Sequence, residues 1–253
     1  MEKEFNSTDG ILNVIKPTGI SSFGCLAAVK RKLWEQLPEG ARPSKFKNWK
    51  MGFLGTLDPA ACGVLVLLVG KATKLADKLH DGTKVYRSIF TFGIETDTLD
   101  LEGDIIAKSD IIPTETQIKQ TIKSMTGEVE IEVPKFSAVH INGRRAYDLA
   151  RKGIDFTPPT KTVNVKRFEL LTLDDCKKDL ESISEVYKQT QNTFYFEIEC
   201  ETGTYVRSLA RLMAARLGTV AIASLILRTR VGDFDITNAK GLPNITINDI
   251  MPI

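Results

Sequence analysis

At 253 residues, with 42% hydrophobic and 26% charged side chains, the chain has enough apolar content for a full core and reads as a soluble globular protein. Its longest aliphatic run, Val64 to Val69, is far short of the ~20 residues that cross a bilayer, and Met1-Glu2-Lys3-Glu4-Phe5 carries no apolar signal core, so no membrane partner and a cytoplasmic location are expected. The net charge of +2 does not imply nucleic-acid binding by itself, which leaves the distribution of charge to decide.

The first element is a strand over Ile11 to Ile15, followed by the turn Lys16-Pro17-Thr18-Gly19 and a helix opened by Ser21 or Ser22. Leu26, Val29, Leu33, Trp34 and Leu37 recur at helical spacing and predict the buried face of that helix. Between Lys30 and Lys50 seven basic residues face only two acidic ones, with Phe46 and Trp49 interleaved. Arg42, Lys45, Lys47 and Lys50 suit a phosphate backbone, and equally suit a solvated helix end and loop. The turn directly after them bears on which of the two readings holds. Gly52-Phe53-Leu54-Gly55-Thr56-Leu57-Asp58-Pro59-Ala60-Ala61-Cys62-Gly63 presents one acid in a turn stiffened by proline and freed by glycine. Val64 to Val69 then reads as a strand buried on both faces.

Val85 to Phe92 is rich in β-branched and aromatic residues and predicts a strand, with a polar loop at Thr96 to Asp100. Thr114 and Gln117 form a capping-box pattern ahead of the stripe Ile118, Ile122 and Met125, which Gly127 stops. Val129, Ile131 and Val133 alternate with glutamates, and Thr193 to Cys200 shows the same period, so half-exposed antiparallel strands dominate. Lys177 to Asn192 is polar and aperiodic and reads as a surface insertion. A helix from about Ser208 to Leu217 and a strand from Ala221 to Arg230 complete the pattern.

Cys25, Cys62, Cys176 and Cys200 are widely spaced without a Cys-x-x-Cys pair, and His80 and His140 lie in no metal-ligand or triad pattern. Reduced thiols, no metal and no histidine base are expected. Gly70-Lys71-Ala72-Thr73 lacks the glycine spacing and the hydroxyl of a phosphate loop, which excludes a P-loop nucleotidase.

Several separated stretches, spanning roughly Gly10 to Phe234, resemble the tRNA pseudouridine-55 synthases of the TruB family. They are Gly10 to Gly19, the Gly55-Thr56-Leu57-Asp58-Pro59 turn, Gly70 to Lys74, Lys84-Val85-Tyr86, Pro134 to Ala138 with Tyr147 to Gly153, Gly203 to Leu209, and Leu225 to Arg228. The resemblance implies a pseudouridine synthase fold of mixed α/β class, a central, mostly antiparallel sheet with flanking helices. It implies one catalytic domain over residues 1–253, its core at 10–234 and a short tail at 235–253 that is too short for a PUA-type RNA-binding domain. The implied reaction breaks the uridine N1–C1′ bond, turns the flipped-out uracil and rejoins C5 to C1′ without cofactor or metal. Asp58 would be the catalytic aspartate, its carboxylate suited as a nucleophile to a sugar carbon with oxocarbenium character. Arg207 would pair with it, Tyr86 and Tyr205 would offer flat faces to the base, and Lys16 and Leu227 would line the substrate site. Phe53 stands where the family usually has histidine. The implied partner is the T arm of tRNA, bound by a monomer without guide RNA.

Overall fold

A computed structural model describes residues 9–80, 82–172, 174–175 and 192–253. In chain order the elements are β1 (Gly10–Lys16), α1 (Ser22–Gln36), β2 (Met51–Leu54), β3 (Cys62–Val69), α2 (Ala76–His80), β4 (Lys84–Phe92), β5 (Ile94–Thr96) and β6 (Ile105–Lys108). Next come α3 (Glu115–Ser124), β7 (Gly127–Glu132), β8 (His140–Ile141), β9 (Arg144–Arg145), α4 (Ala146–Arg151), β10 (Thr160–Leu171) and β11 (Thr193–Cys200). The last are α5 (Val206–Arg216), β12 (Ala221–Val231), β13 (Phe234–Asp235) and β14 (Lys240–Gly241). The mixed α/β class with mostly antiparallel pairing is as expected. The segment Lys177 to Asn192 lies outside the described residues except for Asn192.

The chain divides into two compact units, one of Met1–Val85 with Leu227–Ile253 and one of Tyr86–Ile226. In the first, β3 is the central strand. It pairs antiparallel with β1 from Gly10↔Val69 to Lys16↔Gly63, and with β2 from Met51↔Val69 to Leu54↔Val66. The start of β3 also pairs parallel with β12, Leu227 opposite Cys62 and Arg228 opposite Gly63. A second parallel pair joins β1 to β14 at the edge. All eight residues of β3 are buried, because both of its faces are covered. Leu65, Leu67 and Val69 join Cys25, Val29 and Leu33 of α1 in one cluster, while Val64, Val66 and Leu68 join Leu54, Ala72 and Val231 in another. Each fully buried Val or Leu contributes about 1.5–3 kcal/mol, so this strand makes a stiff base for the turn that precedes it.

The short tail at 235–253 packs onto the first unit: Ile245 and Ile250 enter the α1 cluster, and Met251 exchanges two backbone hydrogen bonds of 2.9 Å with Ile11. Trp49, read among the basic residues, is 3% exposed and belongs to the same cluster.

In the second unit β10 pairs antiparallel with both β11 and β7. Phe90, Phe168 and Phe196 pack together there, with ring centroids 4.6–6.1 Å apart. Thr114 and Gln117 form the expected capping box on α3, which buries Ile118 and Ile122. α5 starts at Val206, two positions before the sequence suggests, and its first residue is preceded by Tyr205, whose side chain makes no capping hydrogen bond. With no Ser, Thr, Asp or Asn cap, the sequence carries no start signal.

Candidate active site

The Gly55–Ala61 turn is fixed residue by residue. The Arg228 guanidinium donates from Nη2 to the Gly55 carbonyl (2.9 Å) and from Nε to Val64 O (2.8 Å). Ser22 Oγ accepts from Leu57 N–H (2.8 Å) and donates to Leu57 O (2.9 Å). Ala61 N–H donates to Asp58 O (3.1 Å), and Pro59 O accepts from Gly19 N–H (2.9 Å) and Lys16 Nζ (3.2 Å). Leu57 anchors the turn in the core at 4% exposure, whereas Asp58 is half-buried. Gly55 adopts φ +63°, and Gly63 adopts φ +102° where a Cβ would lie 2.2 Å from Arg228 O, so neither tolerates a side chain.

Lys16 is fully buried, and its ammonium donates to Pro17 O (2.8 Å) and Ile20 O (2.7 Å) as well as to Pro59 O. It serves the turn's shape rather than an exposed surface. Lys84 and Arg228, also buried, flank Gly55: a Cβ there would lie 3.0 Å from Lys84 Cε and 3.3 Å from Arg228 Nη1. Three buried cations thus lie beside the acid-bearing turn. Cys25 and Cys62 are buried, and burial pushes both thiols up to about 11 against the opposing pull of Lys16; neutral thiols at physiological pH are not nucleophiles. Cys200 is likewise buried, and Cys176 lies outside the described residues. Leu227 is a buried strand residue opposite Cys62. Phe53, on β2, is half-buried and meets the exposed Phe23 edge-on with centroids 5.1 Å apart.

In the second unit Arg207 lies in the first turn of α5, where the helix dipole disfavours a cation. It is nevertheless buried at 3% exposure, with Nη1 on Thr98 O (2.6 Å), Nη2 on Phe136 O (3.1 Å) and Nε 3.8 Å from Asp100 Oδ2. Asp100, in the polar loop after β4, is a residue the sequence does not single out. Its Oδ1 accepts from Thr98 Oγ1 (2.6 Å) and Glu102 N–H (3.0 Å), closing a loop in which Leu99 takes φ +63°. A buried leucine in that region is strained, a cost met where geometry matters. Tyr86 on β4 is 7% exposed, and Tyr205 is half-buried just ahead of α5. Asp58 belongs to the first unit, and Arg207, Tyr205 and Tyr86 to the second.

Of the basic segment, Lys45, Lys47 and Lys50 are exposed. Arg42 is exposed too, but its Nε caps α1 by donating to Leu37 O (3.0 Å). Trp49, buried beside Trp34 with ring centroids 6.2 Å apart, has no face to offer a base. Exposed Phe46 carries Lys30 Nζ 4.5 Å from its centroid. In the second unit His140, Arg144, Arg145, Tyr147 and Lys152 line one open cleft of about 530 Å³. Ser22, Arg228 and Asp100 carried no local signal of their roles, because each acts on a segment remote in sequence or through a loop contact. Among the described residues no group of three or more His, Cys, Asp or Glu could hold a metal, and no helix is long and apolar enough to cross a membrane.

Residues 43–206 match the model of the TruB family pseudouridylate synthase (N terminal domain). A relative named tRNA pseudouridine synthase B from Alkaliphilus oremlandii is 32% identical over 97% of this chain and 71% of its own length. A second of that name from Caldicellulosiruptor saccharolyticus is 37% identical over 97% of this chain and 75% of its own. Among solved structures, a Cbf5–Nop10–Gar1 complex matches with TM-score 0.64 and 25% identity over 95% of this chain and 54% of that one. An H/ACA RNP bound to a substrate RNA containing 2′-deoxyuridine matches with TM-score 0.62 and 23% identity, a likeness of fold alone, over 95% of this chain and 53% of that one. The chain spans about half the length of these two solved structures.

Proposed function

Because the chain belongs to the TruB family of pseudouridylate synthases, we propose that its uridine-to-pseudouridine isomerase activity is directed at uridine 55 in the T arm of tRNA. Isomerisation in tRNA is the activity its relatives are named for. The observation that carries the mechanistic reading is the Asp58 turn, whose backbone is held by Ser22, Lys16, Arg228, Gly19 and Ala61 while its side chain remains half-buried. A carboxylate on so rigid a base is suited to the ribose, by direct attack at C1′ or by supporting a glycal through loss of the C2′ proton.

In either route the N1–C1′ bond breaks, the uracil turns, and C5 joins C1′. The C5 proton then leaves and N1 gains one, so no atom or electron is lost. We assign substrate-binding roles to Arg207, Tyr86, Tyr205, Phe53 and Leu227, while Lys16 supports the turn from beneath. Flipping the base out of the T arm costs a few kcal/mol, which phosphate contacts by Arg42, Lys45, Lys47 and Lys50 help to offset. The chain acts as one catalytic domain and as a monomer in the cytoplasm, without guide RNA, metal or cofactor. Support for guide-free action comes from identity: relatives named for tRNA reach 32–37%, whereas the Cbf5 complex reaches 25%.

The test is a pseudouridine map of unmodified tRNA incubated with the purified protein. Conversion confined to uridine 55 is expected; conversion elsewhere, or none, overturns the assignment.

A further inference from the structure

The peptide planes on either side of Asp58 have separate anchors. The plane after it is set by Ala61 N–H on Asp58 O at 3.1 Å. The plane before it contains Leu57 O, which accepts from the Ser22 hydroxyl at 2.9 Å, and the same hydroxyl takes Leu57 N–H at 2.8 Å. One oxygen thus engages both backbone groups of one residue, as a neighbouring strand would, at a site only 1% exposed. Fixing both planes fixes φ and ψ of Asp58, and with them the direction of its Cα–Cβ bond. Only the two side-chain torsions are left to adjust.

We propose that Ser22 is a positioning residue for the isomerase reaction, acting through the Leu57–Asp58 peptide plane. The inference rests on the isomerase reading above. The helix needs Ser22 for nothing comparable, because Ser21 is the N-cap and accepts from Gly24 N–H at 3.0 Å. Without the hydroxyl, the plane ahead of Asp58 gains freedom while the plane behind it stays bound. The carboxylate then samples directions that miss the ribose, and displacements of this size cost on the order of 10- to 100-fold in rate.

The test is single-turnover conversion of tRNA, with binding and thermal unfolding measured on the same preparations. Ser22→Ala should convert tRNA roughly 10- to 100-fold more slowly, with Kd for tRNA unchanged. Ser22→Thr, which restores the hydroxyl, should recover most of the rate. A folded Ala variant at wild-type rate, a loss confined to Kd, or a folded Thr variant as slow as Ala would overturn the proposal. Should the Ala variant not fold, Ser22→Cys decides: a thiol of similar size but weak donor strength should slow conversion with Kd unchanged, and a wild-type rate refutes the positioning role. A wild-type protein that makes no pseudouridine in any tRNA sinks the isomerase reading and this inference with it, whereas normal wild-type turnover beside a fast Ala variant sinks this inference alone.

Discussion

Asp58 and Asp100 both sit in tight loops, but the Gly55–Ala61 turn is held largely by donors from outside it, whereas the loop from Asp97 to Asp104 closes on its own side chains. Ser22, Lys16 and Arg228 grip the backbone around Asp58. Asp100 instead commits Oδ1 to Thr98 and Glu102, and Asp97 Oδ1 accepts from Asp104 N–H at 3.0 Å. The difference separates two uses of a carboxylate. One acid is mounted on a backbone that other residues hold; the other is itself the mortar, and it carries Arg207 on its second oxygen.

The comparison breaks most easily at Asp58. Asp58→Asn should abolish conversion, a fall of at least ~10³-fold, while the melting temperature and tRNA affinity stay near wild type; a tenth of wild-type turnover, with deamidation excluded by mass spectrometry, would remove Asp58 from the reaction. Arg207→Lys should cost about 10²-fold, because one ammonium cannot span Thr98 O, Phe136 O and a carboxylate as a planar fork does. Near-normal kcat in that variant would show that charge alone suffices.

Asp100→Asn sharpens the contrast, since it should show in the fold as well as the rate. Leaving the loop's hydroxyl and amide donors with a poorer acceptor should lower stability by about 1–2 kcal/mol in urea unfolding, with conversion slowed about tenfold. A stability equal to that of Asp58→Asn would erase the distinction between the two loops. The smallest effect is expected outside both loops. Changing Lys45, Lys47 and Lys50 to Ala should make the slope of log K against log [salt] shallower by about two to three without altering the single-turnover rate at saturating enzyme. An unchanged slope would move the RNA grip to the cleft around Arg144, Arg145 and Lys152.

The acid-bearing turn was legible in the sequence because Gly, Pro and Asp write their backbone preferences locally. The capping box at Thr114 and Gln117 and the doubly buried strand β3 were legible for the same reason: cap chemistry and side-chain period act over a few residues. Ser22 was visible only as a possible helix start, since its partner Leu57 lies 35 positions away. Trp49 is a different failure. An aromatic among lysines reads the same whether it faces RNA or the core, and only the packing against Trp34, Leu33 and Leu37 distinguishes them. Lys16 was legible from its motif while its burial was not, because a motif gives identity but not depth. Trp49→Ala should therefore cost stability, about 3–5 kcal/mol, and leave the salt slope alone.

The return of residues 235–253 to β1 has a consequence for the order of assembly. The unit Tyr86–Ile226 is one uninterrupted piece of chain, but the unit holding Asp58 is stitched from two pieces that lie on either side of it in sequence. During synthesis the first can close while the second still lacks Arg228 on Gly55 O and Met251 on Ile11, and contacts so remote in sequence form slowly. The Asp58 turn is then among the last parts of the molecule to set. Pulse-labelled hydrogen exchange during refolding should protect the amides of β7, β10 and α5 before those of β1 and Leu57, and simultaneous protection would show that the two pieces find each other at once.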